Sequence, residues 1–496
     1  MEISSKLKFF YERLSELYKL NCIASLLDWD MQVYMPEKGA SFRAEQLEFI
    51  ELLAHQKLTD SVFYNTIRDL YENMDNLSDD DRVNVREIFR VVERKKKLPD
   101  EFVSEKTKAC SNAYNVWVKA RPENSYEEVK PYLKHIFELA RKECDLVGYE
   151  KNKYDALLDT YEPYGKIEEI KPLLLELADG LKSIIKTGYE KTKDIKDINV
   201  IFSADKQFEM CSKIAEDLGY SFSTGRIDKT AHPFMTTIGP QDQRITTRFY
   251  ENNILLGLYS TIHETGHALY ELGLPVDRAG TPLGSSVSMG IHESQSRLWE
   301  NIVGRSREFA EYLHKVMIDY FPGEMKDISV DDLFANINKI KPSLIRVESD
   351  EVTYSQHIVI RMLLEEKVLE NEVDVDDLPE AWNAMYEEYL GIKPDDYKDG
   401  VMQDVHWFTG AIGYFPTYAL GNLYNAMMFK SAKVDIPDIS DNIKNGQFEP
   451  LLLWLRDKVH KHGMRYTGPE LIQKITGNKL SAKPFLDYLN NKIFTL

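Results

Sequence analysis

The sequence predicts a mainly α-helical protein with one small β-sheet. Apolar residues recur at three- and four-residue steps along most of the 496 residues, which is the period of an amphipathic helix. Capping residues border several of these stretches, and the apolar–polar alternation of strands is scarce. Apolar residues make up 43% of the chain, which is enough for a large buried core and excludes a mainly disordered protein.

The predicted elements follow in chain order. A first amphipathic helix lies near the N-terminus, where its apolar face contains Phe9, Phe10, Leu14, Leu17 and Tyr18. Ser78 has the character of an N-cap, because three aspartates follow it and a basic run ends the same helix. A further helix should extend from Tyr126 to about Val147 and end at Gly148. The best strand candidate is the segment 235–249, where β-branched residues flank a Gly-Pro turn.

The chain contains no long flexible linker, repeat or low-complexity tract, so we expect a single large domain, 1–496, with helical lobes around a cleft. The formal net charge of −19 disfavours nucleic-acid and membrane partners, because both are anionic. The four cysteines lie far apart and suit a reducing compartment. The first residues lack the apolar run of a secretion signal, and a cytoplasmic location is therefore expected.

The most specific motif is the H-E-x-x-H run from His263 to His267. Residues four apart lie one above the other on a helix, so the two histidines can bind one Zn²⁺ while Glu264 activates a water held by it. The apolar residues around the motif predict a helix from about Ile254 that ends at Gly273. Nitrogen and oxygen ligands also accept Co²⁺, so cobalt is an alternative working metal.

A catalytic zinc usually has three protein ligands. An extended motif with a third histidine fails here, because Tyr270 and Gly273 occupy the positions that require glycine and histidine. A carboxylate from the next helical segment is the other solution. Spacing favours Glu293, with Glu300 and then His292 as alternatives.

Six sequence blocks in order resemble the carboxypeptidase Taq family of zinc metallocarboxypeptidases over nearly the whole chain. The blocks are His232–Phe234, Asp242–Thr246, His263–His267, His292–Gln295, Ile345–Arg346 with Asp350, and Gly400–Trp407. Ser349 departs from the alanine that the family usually has before the aspartate of the fifth block. The resemblance implies Glu293 as third ligand and broad release of single C-terminal residues from peptides. It also implies a homodimer and a two-lobed neurolysin-like or angiotensin-converting-enzyme-like fold, with the zinc deep in a channel. The zinc-site half would span about 230–425.

The same resemblance suggests roles for residues outside the H-E-x-x-H motif. By analogy with related helical peptidases, His406 and Tyr418 would stabilise the oxyanion, with Tyr414 as the alternative tyrosine. His232 would contact substrate or donate to the reacting carbonyl. Arg346 would bind the terminal carboxylate, unless it forms a structural ion pair with Glu348 or Asp350.

Three further residues are expected in the substrate-binding region. Arg244 and Arg248 lie on the predicted strand, which in helical metallopeptidases often lines the cleft, so they would hold the peptide backbone. Gln403 would lie beside the substrate and, with Asp404, orient the ligands or His406. Two other functions are compatible with the motifs. One is a helical zinc oligoendopeptidase, and the other is a non-catalytic helical protein stabilised by zinc.

Overall fold

A computed structural model describes residues 2–495 and is mainly helical, as predicted. The α-helices of the first half of this part are α1 (Ile3–Val33), α2 (Ala40–Thr59), α3 (Ser61–Glu72), α4 (Asp79–Lys96), α5 (Asp100–Ala120), α6 (Tyr126–Val147), α7 (Lys153–Leu158), α8 (Ile167–Thr192), α9 (Ala204–Leu218) and α10 (Ile254–Gly273). Those of the second half are α11 (Met289–Arg297), α12 (Arg307–Tyr320), α13 (Val330–Ile337), α14 (Tyr354–Leu369), α15 (Leu378–Leu390), α16 (Pro416–Asp435), α17 (Ile439–Lys444), α18 (Glu449–Lys458), α19 (Gly468–Thr476) and α20 (Lys483–Thr495).

The capping signals locate the helix ends correctly. The Ser78 hydroxyl accepts a hydrogen bond from the Asp81 backbone N–H, so it caps α4 as predicted. Helix α6 spans the predicted residues and ends at Gly148, whose φ of 88° lies in the region that favours glycine. Helix α10 also has the predicted bounds.

The small sheet has three strands, β1 (Gly225–Lys229), β2 (Met235–Gly239) and β3 (Asp242–Thr247), in the order β1-β3-β2. Strands β2 and β3 lie within the predicted strand segment 235–249 and pair antiparallel, with Met235 opposite Ile245. Strand β1 pairs in parallel with β3 and was not predicted. Only two of its five residues are buried, so it lacks a long apolar signal.

Three hydrophobic clusters lie in the described part of the chain: two cores of very different size and a minor cluster of Phe102, Ala109 and Leu139. The larger core extends from α5 to α20 and includes both faces of α14 and α16. The smaller one lies among α1, α3 and α4 and contains Phe10, Phe63 and Val85. Ion pairs such as Arg90–Asp159, 2.7 Å, join α4 to the larger part. The division into one domain with two lobes stays a prediction.

None of the helices between residues 2 and 495 combines the length and the apolar character that crossing a bilayer requires.

Candidate active site

Three side chains meet where α10 crosses α11, and we call them the metal triad: His263, His267 and Glu293. The Nε2 atoms of the two histidines lie 3.2 Å apart. Glu293 Oε2 lies 3.7 Å from the first nitrogen and 3.6 Å from the second. Tetrahedral ligands at zinc-like bond lengths of about 2.0–2.2 Å are roughly 3.3–3.6 Å apart, so the triad fits one small divalent cation.

The other two candidates for the third ligand have different partners. Glu300 Oε2 lies 2.8 Å from His263 Nδ1, so it orients the ring and leaves Nε2 facing the triad. His292 stacks on His267 with 4.4 Å between ring centroids, and its Nε2 lies 3.1 Å from Glu271. The geometry therefore favours Glu293 as the third ligand. Glu300 instead contacts the far nitrogen of the ligand His263 and orients its ring.

Arg297 links the two carboxylates of this site. Its Nε donates to Glu293 Oε1 at 2.8 Å, and its Nη1 donates to Glu300 Oε2 at 3.2 Å. Burial acts to raise the pKa of Glu300, but Arg297 and His263 outweigh it and hold that pKa well below its ordinary value. Arg297 lies four residues after Glu293, a spacing that places both side chains on the same face of a helix.

Glu264 follows the first histidine of the motif on α10 and is buried. Burial raises the pKa of its carboxyl to about 7.

Two glycines allow the helices of the site to approach closely. A Cβ on Gly266 of α10 would lie 2.7 Å from the Ser296 Cα of α11. A Cβ on Gly421 of α16 would lie 2.9 Å from Glu293 Cγ. Neither position has room for a methyl group, so both crossings depend on glycine. Sequence analysis did not assign a role to either residue.

Replacing Gly266 with alanine should therefore separate α10 from α11. Alanine is the better helix former by about 1 kcal/mol, but overpacking against backbone atoms costs about 1–3 kcal/mol. We expect a lower melting temperature and weaker metal binding. Gly180→Ala in α8 is the control, because the obstructing atoms there belong to the flexible end of Leu486. Unchanged metal affinity in Gly266→Ala would contradict this account.

The predicted oxyanion donors lie together. His406 Nε2 is 3.3 Å from the Tyr418 hydroxyl oxygen, and the Tyr414 ring lies 5.1 Å from that of Tyr418. Burial lowers the pKa of His406 to about 4, so its ring is neutral at pH 7. Tyr418 lies one turn before Gly421 on α16, and its ring lies 6.1 Å from that of Tyr354. The Tyr354 ring in turn lies 4.2 Å from the Arg297 guanidinium, which binds Glu293, so these contacts connect Tyr418 to the metal triad.

Arg346 is buried in an ion-pair network. Its Nε and Nη2 both lie 2.9 Å from Asp404 Oδ1, and its Nη1 donates to the Tyr354 hydroxyl at 3.0 Å. The fully buried Arg361 donates to the other oxygen of Asp404 at 2.5 Å. The structural partner considered from the sequence was wrong, because Arg346 pairs with Asp404 rather than Glu348 or Asp350. Asp350 instead accepts hydrogen bonds from backbone N–H groups and from Thr353.

Gln403 is fully engaged with protein atoms. Its Oε1 accepts from the Arg346 backbone N–H at 2.9 Å and from Arg361 at 2.7 Å. Its Nε2 faces three oxygen acceptors, those of Leu344, Tyr386 and Asp399. No donor or acceptor of Gln403 is left for substrate in the described part of the chain, so the geometry favours positioning over the predicted substrate contact.

The remaining predicted residues lie on or next to the sheet. His232 is exposed between β1 and β2. Arg244 makes two hydrogen bonds to Asp242 and lies 4.3 Å from the Trp29 ring centroid, so it joins the sheet to α1. Arg248 stacks over Tyr250 at 5.0 Å. Among residues 2–495, no hydrogen bond or ion pair connects these three residues to the metal triad.

The chain is similar to known proteins over nearly its whole length. Residues 9–493 match the family model described as carboxypeptidase Taq (M32) metallopeptidase. Thermostable carboxypeptidase 1 of Thermus thermophilus is 40% identical over 98% of both chains, and carboxypeptidase 1 of Bacillus subtilis is 37% identical over 100% and 99%. The crystal structure of the M32 carboxypeptidase from Deinococcus radiodurans is 34% identical, covers 99% of both chains and superposes with a TM-score of 0.96. The chain therefore belongs to the carboxypeptidase Taq (M32) family and is a metallocarboxypeptidase, an enzyme that hydrolyses peptides.

Proposed function

We propose that this enzyme uses zinc to release single amino acids from the C-termini of peptides with broad specificity. The observation that carries this proposal is the metal triad, whose three ligand atoms are 3.2–3.7 Å apart next to the buried Glu264. Two imidazoles and one carboxylate are the ligand set of a catalytic zinc with an open fourth position. When bound, zinc would polarise the scissile carbonyl and lower the pKa of water at the site.

Glu264 is the general base in this proposal. Its carboxylate takes a proton from the attacking water and later returns it to the leaving amine. It follows a ligand directly in the chain but is not a member of the triad, so it is free for proton transfer. Glu300 keeps His263 in the orientation and tautomer that present Nε2 to the metal.

Tyr418 and His406 stabilise the developing oxyanion. If the His406 Nε2–H donates to the Tyr418 oxygen, the phenolic hydrogen of Tyr418 is free to bind a substrate oxygen. Tyr414 is the alternative donor, because its ring packs against the side chains of both His406 and Tyr418. His232 and Arg244 contact more distant parts of the peptide.

Arg346 supplies positive charge for the terminal carboxylate. Two arginines share the single carboxylate of Asp404, so the buried group has a net charge of +1. One hydrogen on each terminal nitrogen of Arg346 remains outside the contacts with Asp404 and Tyr354. The same network holds Asp404 within 3.9 Å of His406 Nδ1, next to the proposed oxyanion donors.

Replacing Arg346 with glutamine should raise KM for free-carboxylate peptides about tenfold or more, since a hydrogen bond to a charged group contributes about 1.5–3 kcal/mol. Steady-state kinetics on a peptide and its C-terminal amide measure the effect. Arg361→Gln is the matched control, because it removes the other partner of Asp404 at a position with no exposure. Equal KM changes in the two variants would reassign Arg346 to a purely structural role.

The proposed function is tested by product masses from two peptides that differ only at the C-terminus, one free and one amidated. We expect stepwise loss of single residues from the free peptide alone, abolished by a chelator and restored by Zn²⁺ or Co²⁺. Internal cuts in both peptides would instead identify an oligoendopeptidase. If metal binds and neither peptide is cleaved, the broad specificity in this proposal is wrong.

We also retain the predictions of a cytoplasmic homodimer. Four free cysteines, two of them buried, suit a reducing compartment. The family resemblance supports the dimer, and sedimentation equilibrium of the purified protein measures it directly.

A further inference from the structure

A completely buried carboxylate, Glu365 on α14, lies behind the segment that carries the proposed oxyanion donors. Its Oε1 accepts a hydrogen bond from the Trp407 indole N–H at 2.8 Å. Its Oε2 accepts from the Tyr154 hydroxyl at 2.5 Å and from the Gly413 backbone N–H at 3.1 Å. Glu365 has no role in the proposed mechanism, although burying a carboxyl group without water is costly.

The chemistry around Glu365 selects a carboxylate. Three donors converge on its two oxygens, and an ionised carboxyl is an acceptor only, so the charged form satisfies all three. Burial acts in the opposite direction and raises the pKa of Glu365 to about 7. A charge without water is retained only where such donors compensate for it. Two of these donors, Trp407 and Gly413, lie on a single segment.

That segment, residues 407–413, lies between two of the proposed oxyanion donors in the chain. Trp407 directly follows His406, and Gly413 directly precedes Tyr414. Gly413 has a φ of 89°, and a Cβ there would lie 3.0 Å from the Leu158 backbone nitrogen. Its conformation and its close approach to α7 therefore both require glycine. The carboxylate of Glu365 thus bridges the two ends of the segment to α14 and to Tyr154 of α7.

We infer that Glu365 is a positioning residue that fixes His406 and Tyr414 at the metal triad. The inference rests on the proposed function, because it assigns these two residues to the oxyanion. It follows from the three hydrogen bonds and from the chain order, and it predicts a defect in the chemical step without a defect in metal binding. Displacements of about 1 Å at a reacting centre cost roughly a hundredfold in rate.

The test is a double-mutant cycle between Glu365→Gln and His406→Ala in the zinc-loaded enzyme. Glutamine keeps the shape but presents an amide to at least one donor, so we expect kcat to fall about tenfold to a hundredfold with KM and zinc content unchanged. In the His406→Ala background the same change should have a much smaller effect. Fully additive effects, or a wild-type kcat in Glu365→Gln, would overturn the inference.

Milder variants cover the case in which Glu365→Gln does not fold. Tyr154→Phe removes one donor and keeps the ring, whereas Trp407→Phe removes another donor and replaces the indole with a smaller phenyl ring. Each variant should lower kcat without changing zinc content. Tyr424→Phe is the matched control, because Tyr424 donates at 2.8 Å to another buried carboxylate, Glu162, which accepts at 3.3 Å from the Gly290 N–H of α11. It should affect zinc retention rather than kcat at saturating zinc.

The outcomes separate this inference from the proposed function. A wild-type kcat in His406→Ala refutes the oxyanion assignment itself, whatever Glu365→Gln does. A low kcat in His406→Ala, together with wild-type kcat in Trp407→Phe and Tyr154→Phe, leaves that assignment intact and refutes the role of Glu365.

Discussion

Glu264→Gln should lower kcat by about 10²–10⁴-fold while the enzyme keeps its metal. The substitution removes the proposed base and leaves all three members of the metal triad unchanged. The amide has nearly the volume of the carboxyl, so the packing of α10 is preserved. Initial rates on a free-carboxylate peptide, together with metal analysis of the purified variant, measure both quantities.

A control on the same helix makes this result specific. Glu271 lies seven residues further along α10 and pairs with His292 rather than with the metal triad. Glu271→Gln should change the rate by less than tenfold. If Glu264→Gln retains near-wild-type turnover with full metal content, Glu264 is not the base and the proposed mechanism fails.

Glu293→Gln should abolish stable metal binding, and Glu300→Gln should only weaken it. Glu293 presents Oε2 to both Nε2 atoms of the triad, whereas Glu300 contacts the far nitrogen of His263. Loss of a group that orients a ligand typically costs about 10–100-fold in affinity, and loss of the ligand itself should cost more. Competition with a chromophoric chelator measures both dissociation constants.

The comparison between the two variants also decides the ligand set. A larger loss in Glu300→Gln than in Glu293→Gln would make Glu300 the third ligand. Equal losses would indicate that Arg297, which donates to both carboxylates, couples them into one unit. Arg297→Lys then provides the discriminating variant, because lysine cannot bridge two acceptors with a planar fork.

The acidic surface and the buried arginines have opposite consequences for an anionic substrate. A net charge of −19 repels a peptide carboxylate at long range, and added salt should weaken that repulsion. Inside the protein, Arg346 and Arg361 share one aspartate, Asp404, so this group of three side chains has a net positive charge. Recognition of a carboxylate is thus expected to depend on short contacts inside the site rather than on steering.

Residue patterns alone were enough to predict the helical class, the bounds of α6 and α10, the strand segment 235–249 and the candidate ligands of the metal. These features depend on residues close in the chain: caps, Gly-terminated helices and two histidines one helical turn apart. Local spacing also ranked Glu293 ahead of Glu300, although it could not assign a role to the second carboxylate.

Which distant residues became partners depended on tertiary packing. Asp404 pairs with both Arg346 and Arg361, Glu365 reaches Trp407 and Gly413, and Gly266 and Gly421 allow three helices to converge on Glu293. A buried charge or a helix crossing depends on a partner that is close in space but distant in the chain. The number of residues between two such partners follows no period that could be recognised in the sequence. The physical reason is that burial makes each of these polar groups depend on one specific contact, which only packing can supply.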